Sequence, residues 1–280
     1  MRKTTNKPIK NFATFLNSKL IGKATLTNSK SLFIKDANKK VHSANLIKHG
    51  YTILDYKLNE EAVNTIIEYS RRIECHDPYR PQLEPIDPSA PPKDTHVAHF
   101  SRTDLVNFKP ILNIANDPAL LEVVQEFLGA KPTISNINMW WSFGGKEQAE
   151  HAQLFHRDFD DWKFCKLFIY LTDVTDTSGP HIYVKDSSNS AKLRKIRRYS
   201  DAEVENAFGK ENILSFTDKR GAAFLVDTFG FHKGLLPKVE DRLLLQVQYS
   251  LNPILIEEYQ PVQVSDFNYH QYINRLLIKA

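Results

Sequence analysis

Residues 153–172 read QLFHRDFDDWKFCKLFIYLT, and the interpretation of the whole chain depends on this stretch. It contains a His-x-Asp triplet, His156 and Asp158 on either side of Arg157, followed by an apolar run typical of a strand. Side chains two apart on an extended segment point to the same side, so this imidazole and carboxylate can bind one divalent metal ion together. A single further His would complete a facial two-His, one-carboxylate site, which leaves three octahedral positions open. The triplet alone is a weak signal, because His-x-Asp is common by chance.

The residues that follow give the triplet its meaning. The next candidate ligand is His232, in the segment DTFGFHKG, and Arg242 opens a strand-like run ten residues later. Two His and one Asp in this order are the ligand set of non-haem Fe(II) oxygenases. A keto-acid cosubstrate would chelate the metal through its keto oxygen and adjacent carboxylate and leave one position for O₂. Its distal carboxylate would then fit the planar fork of Arg242.

Length and composition set the bounds on the architecture. The 280 residues, 41% of them hydrophobic, are enough for one large domain with a full core or for two small ones. Two Cys, Cys75 and Cys165, indicate a reducing compartment and are too few for a disulfide scaffold or a Cys-built zinc site. No apolar run approaches the roughly 18 residues of a transmembrane helix. We therefore expect a cytoplasmic protein.

The basic residues are concentrated at the N-terminus. Residues 1–50 hold eleven Lys/Arg and one acid, a net charge of +10. Because the whole chain has a net charge of +4, the remaining residues have a net charge of −6. The basic pI therefore gives no support for nucleic-acid binding by the main body. We predict a basic arm over residues 1–44, with apolar side chains at helical spacing: Phe12, Phe15, Leu16 and Leu20. A transit peptide and a surface-binding helix are alternatives, but the prevalence of Lys over Arg favours an extra helix packed against the body.

We predict a single domain over residues 45–280 that begins with helices. Asn59 is the predicted N-cap of a helix whose apolar stripe continues to about residue 73. A second helix is bounded by Asp117, with Pro at its first position, and by Gly129.

The second half of the chain is predicted to be mainly β. Between residues 132 and 252 the apolar period changes to two, which indicates a sandwich or barrel, interrupted by one helix that starts at the capping box of Ser200. Residues 78–93 are too rich in Pro for regular structure and form either a lid or pocket wall or a stiff surface loop.

The run HRD…YLTDVTDTSGPHIYV…GAAFLVDTFGFHKG…R resembles the phytanoyl-CoA dioxygenase (PhyH-like) family of Fe(II)/2-oxoglutarate oxygenases. The resemblance covers roughly residues 45–252, because HGYTIL and the helix that ends at Gly129 also have counterparts in the family. It implies a double-stranded β-helix, or jelly roll, flanked by helices. It also implies Fe(II) as the metal, 2-oxoglutarate as the cosubstrate and O₂ as the oxidant.

The resemblance assigns roles to individual residues. The metal ligands and the 2-oxoglutarate anchor of the family match four positions: His156, Asp158, His232 and Arg242. Tyr170 falls where the family often has an aromatic side chain against the cosubstrate. Lys166, four residues earlier on the same strand face, is predicted to face the cosubstrate and reach one of its carboxylates. Met139 and Trp141, on the strand before the triplet, are predicted to share the pocket face.

The chain departs from the family pattern after Gly179-Pro180, where HIYVKDSSNS replaces the usual Pro-Gly-Ser-His turn. Some oxygenases also have Ser or Thr two residues after the Arg, where this chain has Leu244, so a second contact to 2-oxoglutarate must come from elsewhere. The basic stretch 192–198 is either an anion site for the substrate or a solvated loop, and we favour the loop. Other histidines are interpreted as solvated, hydrogen-bonded or outside the ligand set: His96, His99, His151 and His181.

The leading hypothesis is a 2-oxoglutarate-dependent dioxygenase that hydroxylates a C–H bond of a small molecule and releases succinate and CO₂. Anionic small molecules are among the expected substrates. Asp158 favours hydroxylation, because radical halogenases of this class leave the carboxylate position empty for halide. The alternatives are a cupin-like metal-dependent isomerase or a non-catalytic metal- or ligand-binding barrel, neither of which needs Arg242. A third is a partner-binding protein that works through its basic arm. The residues do not indicate the substrate or the oligomeric state.

Overall fold

Most of the helices lie in the first half of the chain and most of the strands in the second. The computed structural model describes residues 4–26, 30–264 and 268–279, so Arg2 and Lys3 of the basic arm lie outside the described residues. The helices are α1 Lys7–Ile21, α2 Lys39–His49, α3 Glu60–Ser70, α4 Arg102–Asn107, α5 Lys109–Ala115, α6 Pro118–Leu128, α7 Asp201–Phe208 and α8 Gln271–Asn274.

The strands form two antiparallel sheets and a small parallel pair. They are β1 Tyr51–Ile53, β2 Cys75–His76, β3 Val97–Phe100, β4 Thr133–Ser142, β5 Phe164–Tyr170, β6 His181–Val184, β7 Ile213–Phe216, β8 Ala223–Val226, β9 His232–Gly234, β10 Arg242–Ser250, β11 Val262–Gln263 and β12 Ile278–Lys279. The major sheet has the order β1-β8-β5-β10-β4-β3-β2 and the minor sheet the order β7-β6-β9, while β11 and β12 form the parallel pair.

The two antiparallel sheets face each other as in a jelly roll. Side chains of β5, β8 and β10 pack against side chains of β6 and β7 in one buried cluster: Phe168, Tyr170, Phe224, Leu244, Tyr183 and Phe216. The other face of the major sheet is covered by helices α2 to α6, whose apolar stripes share one core with it. The predicted mainly β fold with flanking helices is therefore confirmed.

Alternation along β10 sets the two environments. The odd-numbered residues pack into the helix-covered core: Leu243, Leu245, Val247 and Tyr249. The even-numbered residues line a cavity between the sheets: Arg242, Leu244, Gln246 and Gln248. A strand buried on both faces yet polar on one of them indicates that the polar face lines a ligand site.

The predicted helix boundaries are confirmed at their caps. The side chain of Asn59 accepts a hydrogen bond from Ala62 N, and that of Asp117 accepts one from Leu120 N. Ser200 and Glu203 form the reciprocal capping box of α7. These bonds satisfy amide groups that have no partner within the helix, which is why the boundaries are readable from sequence.

Helix α1 packs against the body through polar side chains and through Ile21 at its end, not through the four apolar side chains that were singled out in the sequence. Lys10 is buried and donates to Asp161 O, and Thr14 donates to Trp162 O. The apolar residues predicted at helical spacing are exposed instead: Phe12, Phe15, Leu16 and Leu20. The division into an arm (1–44) and a domain (45–280) stays a prediction, and α2 crosses it.

The Pro-rich segment 78–93 contains turns and bends but no helix or strand, as predicted. Tyr79 from this segment lines the cavity between the sheets, so at least its start acts as a pocket wall. Among the described helices, none is both long enough and apolar enough to cross a bilayer.

Candidate metal centre

Two histidines far apart in the chain are held side by side by backbone pairing. His156 and His232 form an isolated antiparallel bridge in which each amide donates to the carbonyl of the other residue at 3.0 Å. Their ring centroids are 4.3 Å apart. Asp158 is positioned in the same way, because its amide donates to Thr228 O, on the segment leading to His232, at 2.9 Å. The main chain therefore fixes all three candidate ligands before any ion is considered.

Both imidazoles present Nε2 to the centre. Nδ1 of His156 lies 2.9 Å from Leu154 O, and Nδ1 of His232 lies 3.0 Å from Gly230 O. A carbonyl can only accept, so each Nδ1 carries a proton and each Nε2 is the ring nitrogen left for the centre. Burial, with the neighbouring His232 as the next cause, lowers the pKa of His156 to about 3. A neutral ring with a free Nε2 is the form that binds a metal.

The carboxylate of Asp158 is shared between the centre and a buried lysine. Lys166 Nζ lies 2.7 Å from Oδ2 of Asp158 and 3.3 Å from Oδ2 of Asp160. Burial opposes the charge on Asp158, but Lys166 and His232 hold the pKa of this carboxyl well below its usual range. Burial likewise lowers the pKa of Lys166, and the two aspartates raise it above its ordinary value by a larger amount. Lys166 was predicted to contact the cosubstrate, but the carboxylates that it pairs with in the structure belong to Asp158 and Asp160.

The donor geometry fits one ion. Nε2 of His156 lies 3.5 Å from Oδ1 of Asp158, and Nε2 of His232 lies 3.5 Å from its Oδ2. Adjacent ligands at ~2.1 Å from one ion are roughly 3 Å apart, so small side-chain rotations suffice. In the part of the chain that the structure describes, this is the one group of three such side chains with donor atoms within 4.8 Å of one another.

Arg242 lies in the same cavity as the three candidate ligands, which has a volume of roughly 290 Å³. Its guanidinium is buried; Nη1 donates to Gly179 O and Nη2 to Ser142 Oγ at 3.1 Å. Its Nε has no partner among the described residues, although it is fully buried. A Cβ at position 234 would lie 3.3 Å from Nη2, so Gly234 leaves room beside the guanidinium. A buried cation with an unused donor is an anion site.

The prediction that Met139 and Trp141 face the pocket is wrong. Met139 is fully buried and, with Trp141, packs into the helix-covered core. The cavity face of β4 is formed instead by the even-numbered residues: Asn136, Asn138, Trp140 and Ser142. The register of β4 against β10 shifts at Ser135, which is an extra residue in a bulge. Side chains after the bulge therefore point to the opposite face from the one expected by counting from Ile134.

Tyr170 lies on the predicted strand face, but it does not line the cavity. Its hydroxyl donates to Phe216 O at 2.7 Å and accepts from His181 N at 3.0 Å, so it acts as both donor and acceptor within the protein. Phe168, one step nearer the metal centre on the same face, lines the cavity in its place. The predicted contact between Tyr170 and the cosubstrate is therefore corrected to a structural role.

His181 is the functional candidate that the sequence did not reveal. Its ring is buried, lies 5.6 Å from that of His232 and 4.8 Å from that of Phe168, and lines the cavity. Its Nε2 is buried and has no partner among the described residues. The available signal was its place directly after Gly179-Pro180, where the family pattern is interrupted. His96, His99 and His151 also line the cavity.

Comparisons with known proteins support the fold. No family model matches the chain, and neither does any curated protein. Solved structures do match. The epimerase SnoN, crystallised with Fe³⁺, α-ketoglutarate and nogalamycin RO, is 13% identical with a TM-score of 0.56, over 81% of this chain and 94% of SnoN. HygX from Streptomyces hygroscopicus, with nickel, 2-oxoglutarate and hygromycin B, is 16% identical with a TM-score of 0.53, over 84% of this chain and 96% of HygX.

A third structure extends the likeness over more of the chain. EctD from S. alaskensis, with bound Fe, is 16% identical with a TM-score of 0.54, over 92% of this chain and 91% of EctD. All three similarities span most of both molecules, so the chain has the whole jelly-roll architecture of these proteins. At these sequence identities the similarity establishes the fold only, and the chemistry has to be inferred from the residues of the site.

Proposed function

We propose that this chain is an Fe(II)- and 2-oxoglutarate-dependent dioxygenase that hydroxylates a C–H bond of a small molecule. The observation that carries the proposal is the lining of one cavity. It is lined by two imidazoles and a carboxylate and also by buried Arg242, whose Nε is unpaired among the described residues. Support also comes from SnoN and HygX, which were crystallised with a metal and this cosubstrate, and from EctD with iron.

The residues present fit the metal. His156 and His232 would bind it through Nε2, and Asp158 through the oxygen that Lys166 does not hold. When bound together with 2-oxoglutarate and O₂, iron in this ligand set supplies an oxidant able to cleave an unactivated C–H bond. The chain itself fixes the rings through Nδ1 and orients Asp158 through Lys166. Asp158 favours hydroxylation, since it fills the position that halogenases leave for halide.

The proposed reaction balances without another reactant. The substrate C–H becomes C–OH, the C1–C2 bond of 2-oxoglutarate breaks, and CO₂ and succinate leave. One oxygen atom of O₂ enters the new hydroxyl, and the other enters the new carboxylate of succinate.

The cosubstrate would lie between the metal centre and Arg242. Its distal carboxylate suits the guanidinium of Arg242, which lines the cavity and whose Nε has no partner among the described residues. Leu244 stands where some oxygenases have a second, hydroxyl-bearing contact. Buried His181, with its unpaired Nε2 beside His232, supplies a donor in the same region. We assign the second cosubstrate contact to His181.

The direct test is anaerobic addition of Fe(II) and 2-oxoglutarate. A weak visible metal-to-ligand band should form, and admission of air should release succinate. Arg242→Gln should weaken 2-oxoglutarate binding by about 100-fold, because it replaces a bidentate charged contact with a neutral one. Absence of both the band and succinate would contradict the proposal. A cupin-like isomerase or binding barrel would bind metal, but 2-oxoglutarate would not raise its melting temperature.

His181→Leu tests the second contact. The change removes a hydrogen bond to a charged group but keeps the bulk, so 2-oxoglutarate affinity should fall about 10-fold while metal affinity is retained. Titration of the visible band measures both constants. His151→Leu is the matched control, since His151 lines the same cavity but is exposed and stacked on Tyr79. Unchanged affinity in His181→Leu would remove His181 from the cosubstrate site.

Membership of the PhyH-like family stays a prediction, supported by the motif order and the jelly-roll fold. HygX and SnoN were crystallised with the small molecules hygromycin B and nogalamycin RO. We propose a small-molecule substrate for this chain as well. The free, buried thiols of Cys75 and Cys165 support a reducing compartment.

A further inference from the structure

A second cavity, of about 400 Å³, opens beside the metal centre, and Arg242 is not among the residues that line it. It shares five residues with the first cavity: His156, Asp158, Asp160, Ile254 and Ile256. Residues 195–199 and Leu255 line the second cavity only. The volume suits a small organic molecule, and its position places such a molecule against the metal ligands.

One wall is a cationic loop in which two basic side chains have no hydrogen-bond or ion-pair partner among the described residues. Among the basic side chains of residues 192–198, three are engaged: Lys192 with Ala207 O, Arg194 with Ala191 O, and Arg197 with Glu203. Lys195 and Arg198 line the cavity and have no side-chain partner in the described ranges, 4–26, 30–264 and 268–279. The loop therefore presents two unpaired cations to the cavity.

The acidic residues on the other wall do not neutralise these cations. Asp158 and Asp160 are both paired with Lys166, and Asp160 also accepts from Gln248. Arg157, on the same wall, bonds only to backbone carbonyls, which leave its charge intact: Ser187 O, Phe229 O and Lys192 O. The cavity is thus positive and attracts an anion.

Apolar side chains stand beside the free cations. Ile196 is 55% exposed, Leu255 71% and Ile256 79%, and all three line this cavity. Exposed aliphatic side chains grouped at a cavity mouth mark a binding surface. Cations and aliphatic groups together fit a molecule that has an acidic group on an apolar body.

We propose that this cavity is the substrate site and that the substrate is a small amphipathic anion, a carboxylate or phosphate on an apolar body. Its acidic group contacts Lys195 and Arg198, and its body lies between Ile196 and the pair Leu255 and Ile256. The anionic group then anchors the molecule away from the metal, so that a C–H bond of the body faces the centre. This inference rests on the proposed function, because only that function makes the cavity a substrate site.

The test compares two double variants from one loop. Lys195→Ala/Arg198→Ala removes the free cations, and Lys192→Ala/Arg194→Ala removes the same charge from residues that do not line the cavity. The probes are hexanoate, hexyl phosphate, hexanol and hexylamine, titrated calorimetrically into the chain loaded with Ni(II) and 2-oxoglutarate and into the chain alone.

The two anions should bind at least about tenfold more tightly than hexanol or hexylamine, since a charged contact is worth a factor of that order. Lys195→Ala/Arg198→Ala should lose at least that factor, and the control variant should retain the wild-type affinity. The stronger of the two anions identifies the acidic group. Equal binding of hexanol, or equal loss in both double variants, would overturn the proposal.

Failure of this proposal is distinguishable from failure of the proposed function. The visible band formed with Fe(II) and 2-oxoglutarate depends on the triad and Arg242, not on Lys195 or Arg198. Anion binding by the chain alone needs neither metal nor cosubstrate.

Discussion

Replacing His156 or His232 by alanine should abolish turnover and lower metal affinity by more than about 100-fold. Each change removes one of three ligands, and loss of an outer hydrogen-bond partner alone costs 10–100-fold. Neither residue has a substitute among the described side chains, because no fourth His, Cys, Asp or Glu joins the group there. Metal content after dialysis and succinate release are the two measurements.

The control is His151→Ala, which alters a cavity-lining imidazole outside the triad. It should keep stoichiometric metal. Retention of metal by His156→Ala or His232→Ala would show that the ion binds elsewhere and would end the assignment of the triad.

Lys166→Met should lower the free energy of unfolding of the metal-free chain by about 2–4 kcal/mol. Lys166 is buried and is the ion-pair partner of both Asp158 and Asp160, so its removal leaves two carboxylates without a cation. Ni(II) should restore part of the loss, because the metal again neutralises Asp158. Urea denaturation with EDTA and with Ni(II) measures both effects.

The pH dependence of this difference follows from the depressed pKa of Asp158. A carboxyl with a folded-state pKa below 3.8 contributes stability that is present above 3.8 and is lost as the pH falls. The difference between wild type and Lys166→Met should therefore persist at neutral pH and shrink below about pH 4. Lys163→Met is the control, since Lys163 lies over the Phe127 ring. Equal destabilisation by the two variants would refute the ion-pair argument.

The metal ligands were predictable because their signals are local or ordered along the chain. His156 and Asp158 lie two apart on an extended segment, where alternation places them on one side. His232 and Arg242 each stand at the edge of a strand with a clear apolar pattern, and the offset between them is short. The caps at Asn59, Asp117 and Ser200 were predictable for the same reason, since each cap bonds within three residues.

The far wall of the cavity was not predictable, because it depends on pairing between distant segments. Met139 and Trp141 were assigned to the wrong face, since a bulge at Ser135 is set by the partner strand β10. The polar side chains of Asn136 and Asn138 were the better guide. Tyr170 was misassigned because its hydroxyl donates a hydrogen bond to the carbonyl of Phe216, which lies on the other sheet.

His181 escaped the sequence analysis for a physical reason of the same kind. A lone histidine in an apolar strand gives no sign of whether its ring nitrogens find partners. That depends on the aromatic side chains around it, which come from β5, β7 and β8.

The bridge between His156 and His232 has a consequence for how the site and the fold depend on each other. Their segments are distant in sequence, and bringing distant segments together costs conformational entropy. Two main-chain hydrogen bonds join the segments directly, so the fold itself brings the two candidate ligands together. Small zinc domains differ, because in them the metal supplies the link between the ligand segments. Replacing either histidine side chain should therefore remove a metal donor and leave the backbone bridge in place.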